Sequence, residues 1–318
     1  MQLHGLHHVS AMTRSASRNM KFYTEVLGLR LVKKTVNQDD VSVYHLFYAD
    51  KVGSPGTDMT FFEFPDTSPD QRGTDSISNT MFRVNGHAAL EYWAARLEAN
   101  GVTHQEIDEF AGRERLCFFD PEGQRLTLVD DGGAPFEGEA WDGASIPLEN
   151  TIRGFYAVAL SVPDLAQTRI ILSQVLNMTE VMTIPHPDRT DQTIAIFAMD
   201  DGGPGKEIHV YEQPHLRRAR LGHGGVHHVA FRLTDVAEQE AWESRLAQAG
   251  LRTSGQVDRF YFKSLYFRIS NGILFELATD GPGFGADESL ETLGERLALP
   301  PFLEPQRAQI EAGLKPLN

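Results

Sequence analysis

The sequence predicts an α+β chain of four βαβββ modules that close in pairs into two incomplete β-barrels. Two observations carry this expectation. First, the chain repeats itself at a constant offset of 149 positions: EVLGL at Glu25 returns as QVLNM at Gln174, FEFP at Phe62 as YEQP at Tyr211, TMFRV at Thr80 as VAFRL at Val229, RLEANGV at Arg96 as RLAQAGL at Arg245, and Gly123 as Gly272. Five matches in one register point to duplication of a unit. Second, each copy divides again into a short apolar strand, an amphipathic helix and three strands rich in aromatic and β-branched residues.

Module 1 opens with the strand in GLHHVSAM, Gly5 to Met12, and continues into SRNMKFYTEVLGL, Ser17 to Leu29, where Gly28 reads as a helix stop. The strands VSVYHLFYA, Val41 to Ala49, and MTFFEF, Met59 to Phe64, follow. The same order restarts at Thr80, Thr151 and Gly225, with further helix stops at Gly101 and Gly250. Segments rich in Pro, Asp and Gly, Pro65 to Asp75 and Asp130 to Pro147, read as linkers. Residues 1–145 therefore form the first duplicated unit and 150–280 the second, while the tail 281–318, carrying LPPFLEPQR, falls outside the repeat and is expected to wrap the surface.

Composition narrows the partners. A chain of 318 residues with 41% hydrophobic and 23% charged residues is long enough for more than one core. No apolar run reaches the ~20 residues of a membrane span, and the N-terminus lacks the basic-then-apolar order of a signal peptide. The single cysteine, Cys117, excludes an internal disulfide framework and fits a reducing cytoplasm. A formal net charge of −15 argues against a nucleic-acid backbone as partner. Assembly into a homo-oligomer is compatible with the sequence and not indicated by it.

The repeat lets each chemistry-bearing residue be compared with its duplicate. His8 falls on Ala157, His228 on Asn79, and Glu276, in ILFELATD, on Thr127. Three good ligands for a divalent transition metal are matched by three poor ones, so one live site and one dead one are expected. Bringing His8, His228 and Glu276 together requires modules 1 and 4 to pair around the metal, leaving modules 2 and 3 to pair without one. Two imidazoles and one carboxylate on one face make the facial triad of non-haem Fe(II) oxygenases. A lone strand histidine is more often a hydrogen-bonded core residue; two HHV motifs whose duplicates all lose the ligand chemistry favour a metal. Glu63, in FFEF, reads as holding in module 1 the last-strand position that Glu276 holds in module 4. As a fourth ligand it would suit Zn²⁺, Ni²⁺ or Co²⁺ and isomerase chemistry. Its duplicate Glu212 also stays acidic, in the barrel without histidines, which favours a structural role and leaves Glu63 out of the triad.

With these motifs in place, the sequence resembles the vicinal-oxygen-chelate (glyoxalase, bleomycin resistance, dioxygenase) superfamily, and within it the ring-cleaving dioxygenases that act on hydroquinones. The stretches GLHHVSAM, GGVHHVAFRL, DRFYFKSLYFR (Asp258 to Arg268), GILFELATDGPGF (Gly272 to Phe284) and LPPFLEPQR carry the resemblance along the whole chain. It implies Fe(II), or alternatively Mn(II), held by His8, His228 and Glu276, and an extradiol-type insertion of O₂ beside a hydroxylated carbon of a small aromatic substrate. It also implies supporting roles for His7, Ser10, His227, Arg259 and Tyr266. On strand alternation alone, His7 and His227 point away from the ligand face unless a bulge redirects them. Phe260, Tyr261, Phe262 and Phe267 either line a ring-shaped pocket or pack a core. Two rivals stand beside this reading: a glyoxalase-like lyase or isomerase using Glu63, and a non-catalytic sequestering protein in which His228→Ala would leave ligand binding intact.

Overall fold

The computed structural model describes residues 1–187 and 189–317. Module 1 comprises β1 (Leu6–Thr13), α1 (Ala16–Lys21), β2 (Arg30–Asn37), β3 (Asp40–Ala49) and β4 (Asp58–Glu63). Module 2 follows with β5 (Ser76–Val84), α2 (His87–Ala99), β6 (Asp108–Phe110), β7 (Arg113–Phe119) and β8 (Arg125–Asp130). In module 3 these become β9 (Phe155–Val162), α3 (Leu165–Ile170), β10 (Thr179–His186), β11 (Arg189–Ala198) and β12 (Glu207–Glu212). Module 4 holds β13 (Val226–Leu233), α4 (Val236–Gln248), β14 (Thr253–Asp258), β15 (Lys263–Arg268) and β16 (Leu274–Thr279), and α5 (Arg307–Gly313) lies in the tail. Module 2 begins at Ser76, four residues before the TMFRV match, because the polar SISN stretch is also drawn into β5 by pairing with β9.

The strands form two curled eight-stranded sheets. One has the order β14-β15-β16-β13-β1-β4-β3-β2 and the other β10-β11-β12-β9-β5-β8-β7-β6. Modules 4 and 1 thus share one sheet and modules 3 and 2 the other, as the ligand positions required. The join is antiparallel, β1 to β13 and β5 to β9. These central strands are covered on both faces, by helices outside and by the barrel interior within. All eight residues of β1 and of β9 are buried accordingly.

The helices end as the glycines indicated: Gly28, Gly101 and Gly250 take φ of 67°, 68° and 75°, and Asn177 fills the fourth such position at 56°. Helices α1 and α3 each loosen into a π-turn, Phe22–Val26 and Ile171–Val175, a deviation preserved by the duplication. Glu63 accepts a hydrogen bond from the backbone N–H of Ala16 at 2.9 Å, and Glu212 does the same for Leu165 at 3.0 Å. Both carboxylates satisfy the first turn of the helix in their own module.

The tail does more than wrap the surface. Phe284 and Leu293 pack into the cluster formed by Val32, Phe47, Ala49, Ala230, Tyr261 and Phe262. The fully buried ammonium of Lys33 is paired with Asp287 and Glu288 of the tail, which compensates a charge that would otherwise be costly to bury. Gly294 lies so close to β2 that a Cβ there would fall 1.9 Å from the Leu31 carbonyl oxygen.

Candidate metal centre

The two central strands of the first barrel carry one bulge each. Pairing steps from Leu6↔Phe231 to His8↔Ala230, so His7 is the extra residue of β1; it steps from Ser10↔His228 to Ala11↔Val226, so His227 is the extra residue of β13. A bulge turns two successive side chains the same way. His7 and His227 therefore accompany His8 and His228 toward the interior instead of alternating away. The second barrel repeats the device at Ser78 and Tyr156, the duplicates of His227 and His7. The backbone of the site is thus duplicated, and only the side chains differ.

His8, His228 and Glu276 converge, with one ligand atom from each lying within 4.8 Å of the others. Glu276 Oε2 stands 3.1 Å from His8 Nε2 and 2.9 Å from His228 Nε2, and the two Nε2 atoms are 3.3 Å apart. All three side chains are almost completely buried. His8 Nδ1 meets His7 Nδ1 at 2.9 Å, and His228 Nδ1 meets His227 Nδ1 at 2.7 Å. If each ligand imidazole carries its proton on Nδ1 and donates it to its neighbour, both Nε2 lone pairs face Glu276. Three electron-rich atoms would then converge in a dry site, with Glu276 Oε1 buried and unpartnered among the described residues. That donor set fits a divalent cation.

The electrostatics agree. Burial alone would raise the Glu276 carboxyl, but His8 and His228 override it and hold it well below the usual carboxylate range. Burial disfavours a charged His8, yet Glu276 draws its pKa up, while burial depresses that of His228. His7 and His227 are pushed down to about 3, chiefly by burial and then by the adjacent ligand histidine. Both are neutral at pH 7 and suited to accept the Nδ1 protons.

The register corrects the expectation for Glu63. Within the parallel pair β1–β4 the match is Val9↔Met59, and within β13–β16 it is Val229↔Phe275. With His8 and His228 as counterparts, the module 1 counterpart of Glu276 is Thr60. Glu63 sits three residues further on, occupied by α1, and supplies no fourth ligand. Thr60 Oγ1 instead contacts Ser10 Oγ at 3.2 Å and His45 Nε2 at 2.8 Å. His45 went unremarked in the sequence. It is sandwiched by Phe47 and Phe62, each with its ring centroid 4.0 Å away, and burial holds its pKa well below the ordinary value.

A pocket opens beside the triad, lined by His8, Ser10, His45, Phe62, His228, Arg259, Phe262 and Tyr266. It adjoins a wider cavity of about 240 Å³ that also reaches His227. Arg259 Nε donates to the Tyr266 hydroxyl at 3.4 Å, and its Nη2 pairs with Asp39 at 3.1 Å. The Tyr266 ring meets His228 edge-on at 5.6 Å. Of the four aromatics singled out, Tyr261 and Phe262 line the pocket, whereas Phe267 packs against Phe275 in the apolar core. Phe260 takes a left-handed φ of 73° and lies outside the lining. Asp58, opposite His8 on β4, is buried with neither oxygen partnered among the described residues; burial raises its pKa to about 7.

Known proteins resemble this chain along its whole length. The family model of the Glyoxalase/Bleomycin resistance protein/Dioxygenase superfamily matches twice, at residues 5–128 and 154–277. The chain is 49% identical, over all of both chains, to MhqA of Bacillus subtilis (strain 168), named as a ring-cleaving dioxygenase. It is 31% identical to the chlorohydroquinone/hydroquinone 1,2-dioxygenase of Sphingobium indicum, over 95% of this chain and 93% of that one. A crystal structure named as a dioxygenase from Bacillus subtilis superposes with a TM-score of 0.91 at 34% identity, covering 100% of this chain and 98% of that chain. Glyoxalase I from Zea mays, at 17% identity and a TM-score of 0.63 over 87% of this chain and 92% of that one, shares the fold. The chain therefore belongs to the glyoxalase/bleomycin resistance protein/dioxygenase superfamily.

Proposed function

We propose that this chain is a metal-dependent ring-cleaving dioxygenase that takes hydroquinone-type phenols and O₂, with Fe(II) held by His8, His228 and Glu276. One observation carries the reading: the three ligand atoms converge, buried, beside an open pocket where the fourth position is Thr60, a neutral hydroxyl. Three protein ligands leave positions for substrate and O₂, whereas a second carboxylate would favour the closed sets of isomerase chemistry. The named activities of the relatives support the same class.

Fe(II) bound there supplies the electron-transfer chemistry that lets O₂ react with an aromatic ring. The protein's own groups do the rest. His7 and His227 fix the tautomer and orientation of the ligand imidazoles through the Nδ1 contacts. Phe62 and Phe262 flank the space for a single ring, restricting its orientation and excluding water. Arg259, with Tyr266 beside it, presents donors to the oxygen that becomes negative as the phenol loses its proton. His45, held neutral by burial and hydrogen-bonded to Thr60, fixes the orientation of that hydroxyl beside the substrate space, and Ser10 completes the hydroxyl pair. The single cysteine fits a reducing, cytoplasmic setting for this activity; among the described residues no helix is long and apolar enough to cross a membrane.

Oxygen uptake by anaerobically Fe(II)-loaded protein, with hydroquinone and with catechol and beside a His8→Ala control, tests the proposal. It expects uptake with hydroquinone that disappears in the variant. Absence of uptake with both substrates, despite confirmed bound metal, contradicts it.

A further inference from the structure

The second barrel lacks the ligands but has a cavity of its own. At the positions of His8, His228 and Glu276 stand Ala157, Asn79 and Thr127, and at the position of Thr60, 149 residues on, stands His209. Near His209 lies a cavity of about 210 Å³, walled by Met81, Phe110, Val129, Ile196 and Met182, with Arg113, Arg115 and Glu207 also in its lining. An enclosed apolar cavity of about 150 Å³ is enough to admit benzene, so this one has room for a single substituted ring.

His209 gives the cavity a chemical preference. It is 3% exposed, and its Nε2 lies 2.8 Å from Glu207 Oε2. A carboxylate only accepts, so Nε2 is a protonated nitrogen of the ring, and in the tautomer with that single proton Nδ1 keeps its lone pair. Nδ1 is buried with no partner among the described residues, although His209 lines the cavity. A buried acceptor of this kind is costly until a donor reaches it. The Phe110 ring, 6.0 Å from that of His209, supplies an aromatic wall next to it. Glu207 also disfavours a ligand carboxylate close to His209, and of the two arginines in the lining, Arg113 and Arg115, the latter is engaged by Asp108 at 2.8 Å.

We infer that the second barrel binds a single-ring phenol without a metal, its O–H donated to His209 Nδ1. The site goes beyond ring cleavage in the first barrel and does not depend on it.

A ¹⁹F NMR titration of 4-fluorophenol into the metal-free full-length protein tests this, with His209→Leu and Met182→Trp as variants and 4-fluorobenzoate as the competing class. Met182 is 39% exposed, so tryptophan there fills the cavity from its rim with little burden on folding. The inference expects saturable phenol binding that weakens by about tenfold, the order of one lost hydrogen bond, in His209→Leu. Met182→Trp weakens it too, and neither variant changes the oxygen uptake of the Fe(II)-loaded enzyme. Phenol binding unaffected by both variants, no saturable binding, or binding of the benzoate in preference to the phenol would overturn it. A failed titration with intact oxygen uptake removes the second site alone, and the reverse outcome removes ring cleavage alone.

Discussion

The two barrels have the same strand order, the same antiparallel join and bulges at equivalent residues, yet their interiors differ in the side chains that decide chemistry. His8, His228, Glu276 and Thr60 in one correspond to Ala157, Asn79, Thr127 and His209 in the other. The bulges at Ser78 and Tyr156 persist where no metal ligand needs them. They belong to the scaffold, which presents two neighbouring side chains to the interior in both barrels whatever those side chains are. Fold and site are therefore separable here: replacing side chains at these positions should alter the chemistry and leave the sheet intact.

The largest effect is expected from Glu276→Ala, which removes the only carboxylate of the triad and should abolish both metal retention and oxygen uptake while leaving the far-UV circular dichroism unchanged. Thr60→Glu sharpens the comparison from the other side. It installs a carboxylate at the fourth position, and metal content should be kept or increased while hydroquinone-dependent oxygen uptake collapses, because a position needed by substrate is filled. Next come His7→Ala and His227→Ala. Each removes the acceptor that orients a ligand imidazole, and metal affinity, followed by competition with a chelator, should weaken by roughly 10- to 100-fold. A smaller change is expected from Arg259→Lys, which keeps the charge but loses the planar donor geometry: KM should rise more than kcat falls.

The smallest effect concerns the metal-free protein and pH. His7 and His227 have folded pKa values of about 3, well below the ordinary 6.5. The unfolded chain takes up their protons first, so stability is full above pH 6.5 and is lost as pH falls toward 3. Asp58, raised to about 7 from 3.8, acts in the opposite sense, since its folded form holds a proton that the unfolded form releases between those values. Asp120, raised to about 6, acts with Asp58, but the lowered His45, His228 and Glu276 act with His7 and His227, so chemical denaturation should show net acid lability, steeper in Asp58→Asn. Stability that rises on acidification from pH 6.5 to 4 would contradict this assignment.

Much of this comparison was legible in the sequence. The constant offset identified the duplication, and the loss of His8, His228 and Glu276 from their duplicates indicated which modules meet. Three features were not legible. Glu63 was set against Glu276 because both lie in last strands, but modules 1 and 4 differ in the length between first and last strand. Only the hydrogen-bond ladder shows that Thr60 is the true counterpart. The bulges at His7 and His227 carry no glycine or other local mark, and strand alternation alone directs those side chains outward. His45, one polar residue in the aromatic strand VSVYHLFYA, reads as a core histidine until Thr60 is placed beside it. What escaped was register, which is fixed by pairing between distant strands and not by local propensity.

The central claim is that one barrel holds a metal and its duplicate does not. Metal content per chain, measured after anaerobic loading and removal of excess ion, tests it most directly in the wild type, His228→Ala and His209→Leu. The account predicts one equivalent in the wild type, none in His228→Ala, and one retained in His209→Leu. Two equivalents in the wild type, or metal lost in His209→Leu and kept in His228→Ala, would contradict it.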